Sequence, residues 1–309
     1  MNVLFISREN SKLGISPIIK NQGDSLKKQG VSIDYFLIKG KGVLGYFKSI
    51  FALKKHLKKQ KYDIFHAHYS LSGFVAAFAG CKPMVVSLMG SDVKAKWYLR
   101  CLIKFFEVFL WDIVIIKSID MKKELGKYDY RVIPNGVNIE KFKPIDKEQA
   151  LNFVGWKSSA KHILFASNPK RKEKNFKLVE DSMKLINDNI QIHYLKNIEN
   201  KDVPYYLNAA DVIILSSLWE GSPNVIKESM SCSRPIVSTK VGDVEWVLGN
   251  TDGCFVSSFK ASEFSNKIIQ ALKYSRINNH TNGRSRIIKL NLDSLSISSQ
   301  LTDIYNEII

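Results

Sequence analysis

Hydrophobic positions along the first half of the chain follow two alternating patterns. Short runs rich in Val, Ile and Phe are typical of buried strands, and the longer segments between them have the three-to-four spacing of amphipathic helices. This alternation predicts a parallel sheet with helices on both faces. The predicted strands are VLFI (3–6), VSIDYFLI (31–38), DIFHAHY (63–69), MVVSL (84–88), DIVII (112–116) and RVI (131–133).

The alternation stops at residues 133–149, where two prolines and an Asn-Gly turn indicate a connection between domains. A chain of 309 residues also exceeds the ~250–300 at which one hydrophobic core stops growing. We predict two Rossmann-like α/β domains, residues 1–143 and 144–309. The last helix, about residues 291–309, is a candidate to pack back on the N-terminal domain. The strands predicted after the connection are HILFAS (162–167), IQIHYL (190–195), DVIILSS (211–217), PIVST (235–239) and CFVSS (254–258).

The most apolar run, residues 97–116, is long enough to span a bilayer. Arg100, Lys104 and Glu107 interrupt it at helical spacing, so we predict an amphipathic helix followed by a strand. The four cysteines form no C-x-x-C pair, and residues 1–10 lack the basic and apolar regions of a signal peptide. These features predict residence in the reducing cytoplasm.

Positive charge is concentrated in the first half of the chain. Residues 1–140 carry 23 Lys and Arg against 11 Asp and Glu, a net charge of +12, whereas residues 141–309 carry 23 against 18, a net charge of +5. Such an excess favours an anionic partner, either a membrane surface or a nucleic acid. No nucleic-acid-binding motif occurs in the sequence, so no nucleic-acid partner is expected.

Two helices are candidates for peripheral attachment to the cytoplasmic face of an anionic membrane. Residues 46–61 place seven basic or His side chains around the apolar stripe Tyr46, Ile50, Leu53 and Leu57. The alternative is that this stripe faces the core and the basic side is solvated. A second helix, residues 97–111, would add Trp97, Phe105, Phe106, Phe109 and Trp111.

The segment WEGSPNVIKES (219–229) follows a predicted buried strand and has a glutamate on each side of a Gly-Ser-Pro turn. Ser222 is a good N-cap and Pro223 suits the first helical position, so a helix is predicted to begin here and to end before Pro235. Its free backbone N–H groups would lie at the carboxyl end of the sheet, where ligands bind in open α/β folds. A helix N-terminus at that edge favours a phosphate.

The two glutamates, Glu220 and Glu228, suit opposite ends of one ligand. Glu228 lies six residues beyond Ser222, about 9 Å along the helix axis, and its side chain leans back toward the N-terminus. A ribose attached to the bound phosphate would be within its reach. Glu220 precedes the helix and would meet a second group of the ligand. The alternative is one acid that interacts with the helix dipole and one solvated surface acid.

These residues resemble glycosyltransferase family 4, the retaining, nucleotide-sugar-dependent enzymes with the GT-B fold. The resemblance covers nearly the whole chain and implies two domains that face one another across a cleft. The similar segments, in the family's order, are DIFHAHYSLSG (63–73), VVSLMGSD (85–92), VIPNGVNIEKFKP (132–144), ILFASNPKRKEKNF (163–176) and SLWEGSPNVIKESMSCSRPIVSTKVGDVE (217–245).

The resemblance implies a role for each matching residue. Glu228 would bind the ribose hydroxyls, and Glu220 would bind the transferred sugar at the catalytic centre. Lys174, together with Arg171, would neutralise the diphosphate. The other implied donor-binding residues, which contact the diphosphate through the backbone or allow its close approach, are Gly14, Gly221, Ser222, Asn224 and Val225.

The implied reaction transfers a hexose from a nucleoside-diphosphate sugar, UDP favoured over GDP, to a glycan or lipid-linked glycan in bacterial surface-polysaccharide synthesis. No cofactor is implied, and the chain has no Asp-x-Asp, the usual carboxylate clamp for a divalent metal. Two positions depart from the family pattern. Met89 stands where many members have a His near the reacting carbon, and Ser233 stands where Gly usually supplies φ > 0.

Other motifs leave alternatives to this function. GKGVLG (40–45) matches the dinucleotide fingerprint of NAD(P)-dependent oxidoreductases, with Asp63 about twenty residues on. These glycines follow the second strand and Asp63 precedes its strand, so a turn is favoured. His66 and His68 share one side of a strand, but no third metal ligand is spaced nearby, and core histidines are favoured. A membrane- or nucleic-acid-binding protein without enzymatic activity is the remaining alternative.

Overall fold

Two compact units make up the chain. The computed structural model describes residues 1–10, 14–40, 42–93, 97–126 and 129–309. Unit 1 comprises Met1–Gly136 and Ser294–Ile309, and unit 2 comprises Val137–Asp293. Each unit contains a parallel sheet with helices packed against it, which confirms the predicted class of two Rossmann-like α/β domains.

Unit 1 is built on a sheet whose strand order, among the described residues, is β2-β1-β3-β4-β5-β6, and neighbouring strands are parallel. The strands are β1 (Asn2–Arg8), β2 (Ser32–Ile38), β3 (Ile64–His68), β4 (Met84–Ser87), β5 (Ile113–Ile116) and β6 (Arg131–Val132). The helices are α1 (Pro17–Lys28), α2 (Gly42–Leu57), α3 (Ser70–Ala79), α4 (Trp97–Phe109), α5 (Ile119–Leu125) and, near the end of the chain, α13 (Ser294–Asn306). Each strand predicted from the first half of the sequence is present.

Unit 2 has the strand order β11-β10-β9-β7-β8, again with parallel neighbours. Its strands are β7 (Lys161–Phe165), β8 (Ile190–Tyr194), β9 (Val212–Leu215), β10 (Ile236–Thr239) and β11 (Cys254–Ser257). Its α-helices are α6 (Lys147–Val154), α7 (Phe176–Met183), α8 (Val203–Ala209), α9 (Asn224–Ser231), α10 (Val244–Leu248), α11 (Ala261–Ile277) and α12 (Gly283–Lys289). The five predicted strands of this half are all present.

In each sheet the strand order reverses at the first strand of the unit. In unit 1, β2 lies on one side of β1 and β3 on the other; in unit 2, β8 and β9 flank β7 in the same way. The connections from the two central strands therefore leave toward opposite faces, and a crevice forms between them at the carboxyl edge. Ligand sites are expected after β1 and β3 in unit 1 and after β7 and β9 in unit 2.

One face of the unit 1 sheet is covered by α2, α3 and α4. The right-handed crossovers that these helices make all step in one direction along the sheet, so the helices share a face. Leu53, Val75 and Ile103, one from each helix, belong to a single buried cluster. The other side includes α1, against which α13 packs. The terminal helix is thus part of unit 1.

The two helices considered for membrane contact are partly buried. Tyr46, Ile50, Leu53 and Leu57 pack on the core of unit 1, so this stripe of α2 faces inward. Residues 97–116 form α4 and β5, as predicted.

Phe106 and Trp111, expected to help form a membrane surface, are 4% and 3% exposed and belong to the core; this expectation was wrong for both. The apolar spacing predicted the helix but not which side the sheet covers. None of the described helices is both long and apolar enough to cross a membrane.

The division between the units lies at Gly136/Val137, before the predicted boundary at 143/144. Val137 forms a β-bridge with Asp293, which holds the segment in unit 2. Arg284 Nη1 donates hydrogen bonds to the carbonyl oxygens of Ile139 (2.8 Å) and Phe142 (3.1 Å). These long-range contacts lie outside the local Pro and Gly pattern on which the prediction relied.

Replacement of Arg284 by Ala is expected to destabilise unit 2 by about 1–3 kcal/mol, because backbone carbonyls that are part-buried lose their donor. Urea unfolding followed by circular dichroism measures the change. Lys273→Ala on α11 is the matched control, since Lys273 is exposed and has no hydrogen bond or ion pair among the described residues. Equal stabilities of the two variants would contradict the anchoring role.

Candidate active site

The candidate site lies at the carboxyl edge of the unit 2 sheet, where the loops after β7 and β9 meet. The loop after β7 includes a 3-10 helix, Lys172–Lys174. The loop after β9 begins at Ser216, whose Oγ donates hydrogen bonds to the carbonyl oxygens of Lys174 (2.8 Å) and Asn175 (3.0 Å). The hydroxyl therefore fixes the two loops to each other.

Lys174 and Glu220, both implied by the sequence as donor-binding, form an ion pair across these loops. Glu220 also accepts a hydrogen bond from Ser217 Oγ (2.7 Å). Only 12% of the Lys174 side chain and 16% of the Glu220 side chain are exposed. The pair thus holds one cation and one anion in fixed positions at the edge where a ligand binds.

The helix after this loop, α9, begins one residue later than predicted. Pro223 occupies the N-cap position, so the prediction of Ser222 as N-cap was wrong. The Ser222 hydroxyl instead accepts a hydrogen bond from Lys227 Nζ (2.7 Å). Lys227 is 1% exposed, and a buried ammonium without an acceptor costs more than an uncapped helix amide. The sequence pattern gave no signal for Lys227, because a Lys on an amphipathic helix is normally solvated.

The N-terminus of α9 presents hydrogen-bonding groups at the same edge. In the part of the chain that the structure describes, the amides of Ser222, Asn224 and Val225 have no hydrogen-bond partner. The buried Asn224 Oδ1 also has none. Free N–H groups in the first turn of a helix attract an anion. The backbone groups that the sequence assigned to a diphosphate are therefore unpaired here.

The turn after β10 packs directly against the Glu220–Gly221 backbone. Gly242 has φ +54, and a Cβ at this position would lie 2.2 Å from the carbonyl oxygen of Gly221. The Asp243 amide donates to that carbonyl (3.2 Å).

Ser233, beyond the end of α9, has φ 55, so the side chain that replaces the family's Gly does occupy the left-handed region. This costs roughly 1 kcal/mol.

Glu228 lies on α9, half-buried, and its carboxylate has no hydrogen-bond partner among the described residues. Burial raises its pKa to about 7, because the charged form is desolvated, although nearby Lys227 and Lys141 oppose the shift. Burial likewise lowers the pKa of Lys227. Glu228 is thus a half-buried acceptor without a hydrogen-bond partner among the described residues, about one helical turn along α9 from the amides of Asn224 and Val225.

Arg171 pairs with a different acid, and Gly14 belongs to the other unit. Arg171 is exposed, and its Nε donates to Glu173 Oε1 (2.8 Å). Gly14 belongs to unit 1, where it has φ +65 and exchanges two backbone hydrogen bonds with Asn10. Residues 11–13 of its loop lie outside the described residues. The donor-binding roles of Arg171 and Gly14 stay predictions.

Unit 1 has a buried polar cluster at the carboxyl ends of β3, β4 and β5. His66 is hydrogen bonded to Tyr305 Oη (2.6 Å) and Ser87 Oγ (2.8 Å), and Lys117 Nζ donates to Ser87 Oγ (3.3 Å). Burial lowers the pKa of both His66 and His68, that of His68 to about 3, so both rings are neutral. The described residues contain no group of three or more His, Cys, Asp or Glu placed to hold a metal ion.

Two further positions in unit 1 bear on the sequence hypotheses. The amides of Met89 and Gly90 each donate to Asp92 Oδ1 (2.9 Å), and burial raises the pKa of Asp92 to about 6.

Asp63, the acid of the dinucleotide alternative, accepts a hydrogen bond from the Asn2 amide (2.7 Å) at the amino end of β3. A ribose-binding acid belongs at the carboxyl end, so Asp63 does not support that alternative.

Comparison with protein families gives two adjoining matches. The model described as "Glycosyltransferase Family 4" matches residues 20–141, and the model described as "Glycosyl transferases group 1" matches residues 146–274. The UDP-Gal:alpha-D-GlcNAc-diphosphoundecaprenol alpha-1,3-galactosyltransferase of Escherichia coli is 30% identical over 271 residues, which cover 72% of this chain and 70% of that protein. The putative teichuronic acid biosynthesis glycosyltransferase TuaC of Bacillus subtilis is 25% identical over 216 residues, which cover 60% of this chain and 55% of that protein.

Solved structures share the architecture across the whole chain. Sucrose-phosphate synthase from Thermosynechococcus elongatus superposes with a TM-score of 0.86 at 17% identity and covers 99% of this chain and 98% of that one. Anabaena Alr3699/HepE in complex with UDP-glucose gives a TM-score of 0.76 at 15% identity, with coverage of 99% and 100%. At such identities the likeness establishes a common fold.

Replacement of Gly242 by Ala is expected to destabilise unit 2 by about 1–3 kcal/mol more than Gly155→Ala. Both glycines have positive φ, but a Cβ at Gly155 meets nothing within 4 Å, whereas one at Gly242 meets the Gly221 carbonyl. Urea unfolding of the two variants separates the clash from the cost of positive φ. If both lose the same stability, the close packing of the two loops is refuted.

Glu228 is expected to make the protein less stable as pH rises from about 4.5 to about 7. Its folded pKa lies above the usual value of 4.5, so the native state binds the extra proton, and this stabilising contribution is lost as pH passes the folded pKa. The slope is at most about 1.4 kcal/mol per pH unit. Glu228→Gln should remove this slope in urea unfolding measured at intervals from pH 5 to pH 8. Both proteins retain Asp92, so the difference between their free energies of unfolding at each pH reports on Glu228 alone. Parallel curves of unfolding free energy against pH would contradict the raised pKa of Glu228.

Proposed function

Because this chain belongs to glycosyltransferase family 4, we propose that unit 2 binds a nucleoside-diphosphate sugar and that the enzyme transfers the sugar to a lipid-linked glycan. The chain is a nucleotide-sugar glycosyltransferase by its family and has the GT-B fold. The observation that carries the donor assignment is the Lys174–Glu220 pair beside the unpaired amides of α9. The oxidoreductase alternative has no comparable arrangement in its favour.

The donor is proposed to lie along α9. Its diphosphate would accept hydrogen bonds from the amides of Ser222, Asn224 and Val225, next to Lys174. The ribose would then reach Glu228, whose carboxylate has no other hydrogen-bond partner among the described residues. A bound ribose supplies two hydroxyl donors to that carboxylate, which favours its ionised form. This order places the transferred sugar beside Glu220.

Catalysis would rest on charge stabilisation at the leaving group. The bond between the anomeric carbon and the diphosphate oxygen breaks, and negative charge increases on the phosphate nearer the sugar. An acceptor hydroxyl oxygen forms the new bond to the anomeric carbon, and its proton passes to the departing diphosphate. The Lys174 ammonium and the first turn of α9 stabilise the larger charge of the transition state more than the smaller charge on the same phosphate in the bound substrate. This difference accelerates the reaction. Both are built into the chain, so we propose a metal-independent transfer. Retention at the anomeric carbon is proposed from the family alone.

The acceptor is proposed to be a glycan linked to a polyprenyl diphosphate in surface-polysaccharide synthesis at the cytoplasmic face of a membrane. The Escherichia coli relative is named for a diphosphoundecaprenol-linked substrate and for UDP-galactose, and the Bacillus subtilis relative for teichuronic acid biosynthesis. A UDP-hexose is accordingly the favoured donor. Unit 1, the basic half of the chain, is the proposed acceptor-binding unit.

Replacement of Lys174 by Ala is expected to weaken UDP binding roughly ten- to a hundredfold, since a hydrogen bond to a charged group contributes about 1.5–3 kcal/mol. It should leave the weaker binding of uridine unchanged, because uridine has no phosphate. Glu228→Ala should weaken UDP and uridine alike through loss of the ribose contact. Isothermal titration calorimetry measures the affinities of the parent protein and both variants for UDP and uridine, and EDTA is expected to leave them unaltered.

Lys172→Ala is the matched control, because Lys172 lies on the same 3-10 helix but is exposed. Thermal unfolding of each variant shows whether the loop remains folded. The donor assignment fails if Lys174→Ala and Glu228→Ala bind UDP, GDP and ADP as tightly as the parent protein. Incubation with UDP-[14C]hexoses and a polyprenyl-diphosphate glycan then tests transfer itself.

A further inference from the structure

Large apolar side chains are exposed on α2, α3 and α4, which cover the same face of the unit 1 sheet. They include Val43, which is 85% exposed, and Trp97, which is 71% exposed. We call this set the outer apolar face; its members are Val43, Leu44, Phe47 and Phe51 of α2, Phe78 of α3, and Trp97, Tyr98, Leu102, Phe105, Val108 and Phe109 of α4. Monomeric soluble proteins rarely expose large contiguous apolar patches, and exposed aromatic rings contact one another within α2 and within α4, so this face is expected to bind a partner.

Helix α2 has two apolar stripes, of which the core needs one. The inner stripe of Leu53 and its neighbours packs on the sheet, as described above. The outer stripe places Phe47 and Phe51 one turn apart, and their rings contact edge to face with centroids 5.2 Å apart. Burial against the sheet therefore does not account for the outer stripe.

Helix α4 is still more apolar on its outer side. Phe105 and Phe109 are exposed and their ring centroids lie 5.0 Å apart. The acid of this helix, Glu107, points away from solvent and accepts a hydrogen bond from Tyr130 Oη (2.8 Å). Lys104 is the exposed charged residue among these aromatic rings. No exposed carboxylate of α4 would thus meet a negatively charged surface.

The charge beside the outer apolar face is positive. Residues 39–61 contain eight lysines and no Asp or Glu. Within the described residues, the lysines from Lys48 to Lys61 form no ion pair. The eight are Lys39, Lys41, Lys48, Lys54, Lys55, Lys58, Lys59 and Lys61. A partner that is apolar inside and anionic at its surface satisfies both the aromatic rings and the lysines.

We propose that the outer apolar face inserts into the interfacial region of an anionic lipid membrane. Aromatic rings of Phe, Trp and Tyr enter the boundary between headgroups and acyl chains, and lysines beside them contact lipid phosphates while their methylene stems lie along apolar surface. A membrane fits this combination better than a second copy of the chain, because unit 1 would then meet its own positive charge. The inference agrees with a lipid-linked acceptor but rests on the surface itself.

The test is co-sedimentation of the full-length protein with sucrose-loaded vesicles. Vesicles of phosphatidylcholine with roughly 30% phosphatidylglycerol should bind the protein at least tenfold more strongly than pure phosphatidylcholine, and added salt should weaken the binding. Phe47→Ser with Phe51→Ser, or Phe105→Ser with Phe109→Ser, should lower the partition coefficient at least tenfold. Lys54→Gln with Lys55→Gln and Lys58→Gln should abolish the preference for the anionic lipid.

The matched control is Trp246→Ser with Ile277→Ser, which removes exposed apolar side chains from unit 2 and should leave partitioning unchanged. UDP affinity, expected to be the same in all variants, shows that they are folded and separates this inference from the donor site. Equal partitioning of the parent protein and the aromatic variants overturns the proposal. Analytical ultracentrifugation that shows a dimer abolished by Phe105→Ser with Phe109→Ser would also overturn it, in favour of a second copy.

Discussion

The all-parallel sheet is the constraint on which the candidate site depends. In such a sheet every strand ends at the same edge, so the loops after the neighbouring strands β7 and β9 of unit 2 meet there. Lys174 and Glu220, 46 positions apart in the chain, are brought into contact only by this topology. The helix that follows β9 necessarily presents its N-terminus at the same edge. One topological feature therefore supplies a cation, an anion and a set of free amides.

A buried ammonium helps to maintain the shape of that edge. Lys227 lies beneath the loop and donates to Ser222, so the loop is held by the requirement that a buried ammonium have an acceptor. Glu228 lies beside it without a hydrogen-bond partner among the described residues, with a pKa raised to about 7. In the proposed donor complex, the ribose hydroxyls would donate to this carboxylate and favour its ionised form.

The units differ in what they present to a partner. Unit 2 presents a small polar site made by loops, whereas unit 1 presents a broad apolar face made by the outer sides of α2, α3 and α4. The buried histidines His66 and His68 of unit 1 are neutral, His66 is hydrogen bonded within the fold, and the excess positive charge of the unit lies on the surface. The proposed donor site and the proposed membrane-binding surface therefore consist of different elements, so each can be altered by mutation without the other.

The sequence by itself determined the strands, the two-domain class and the family, because alternation of apolar runs and local motifs need only neighbouring residues. It also indicated Lys174 and Glu220, which the fold brings into an ion pair, and Glu228, whose donor-binding role stays a prediction. It did not show that Ser222 binds Lys227 instead of capping α9, that Phe106 and Trp111 are core residues, or that α2 has an exposed apolar stripe. Those features depend on which side of each helix the sheet covers and on which distant side chain reaches a buried polar group. Contacts between residues far apart in the chain decide both, and only the tertiary structure specifies them.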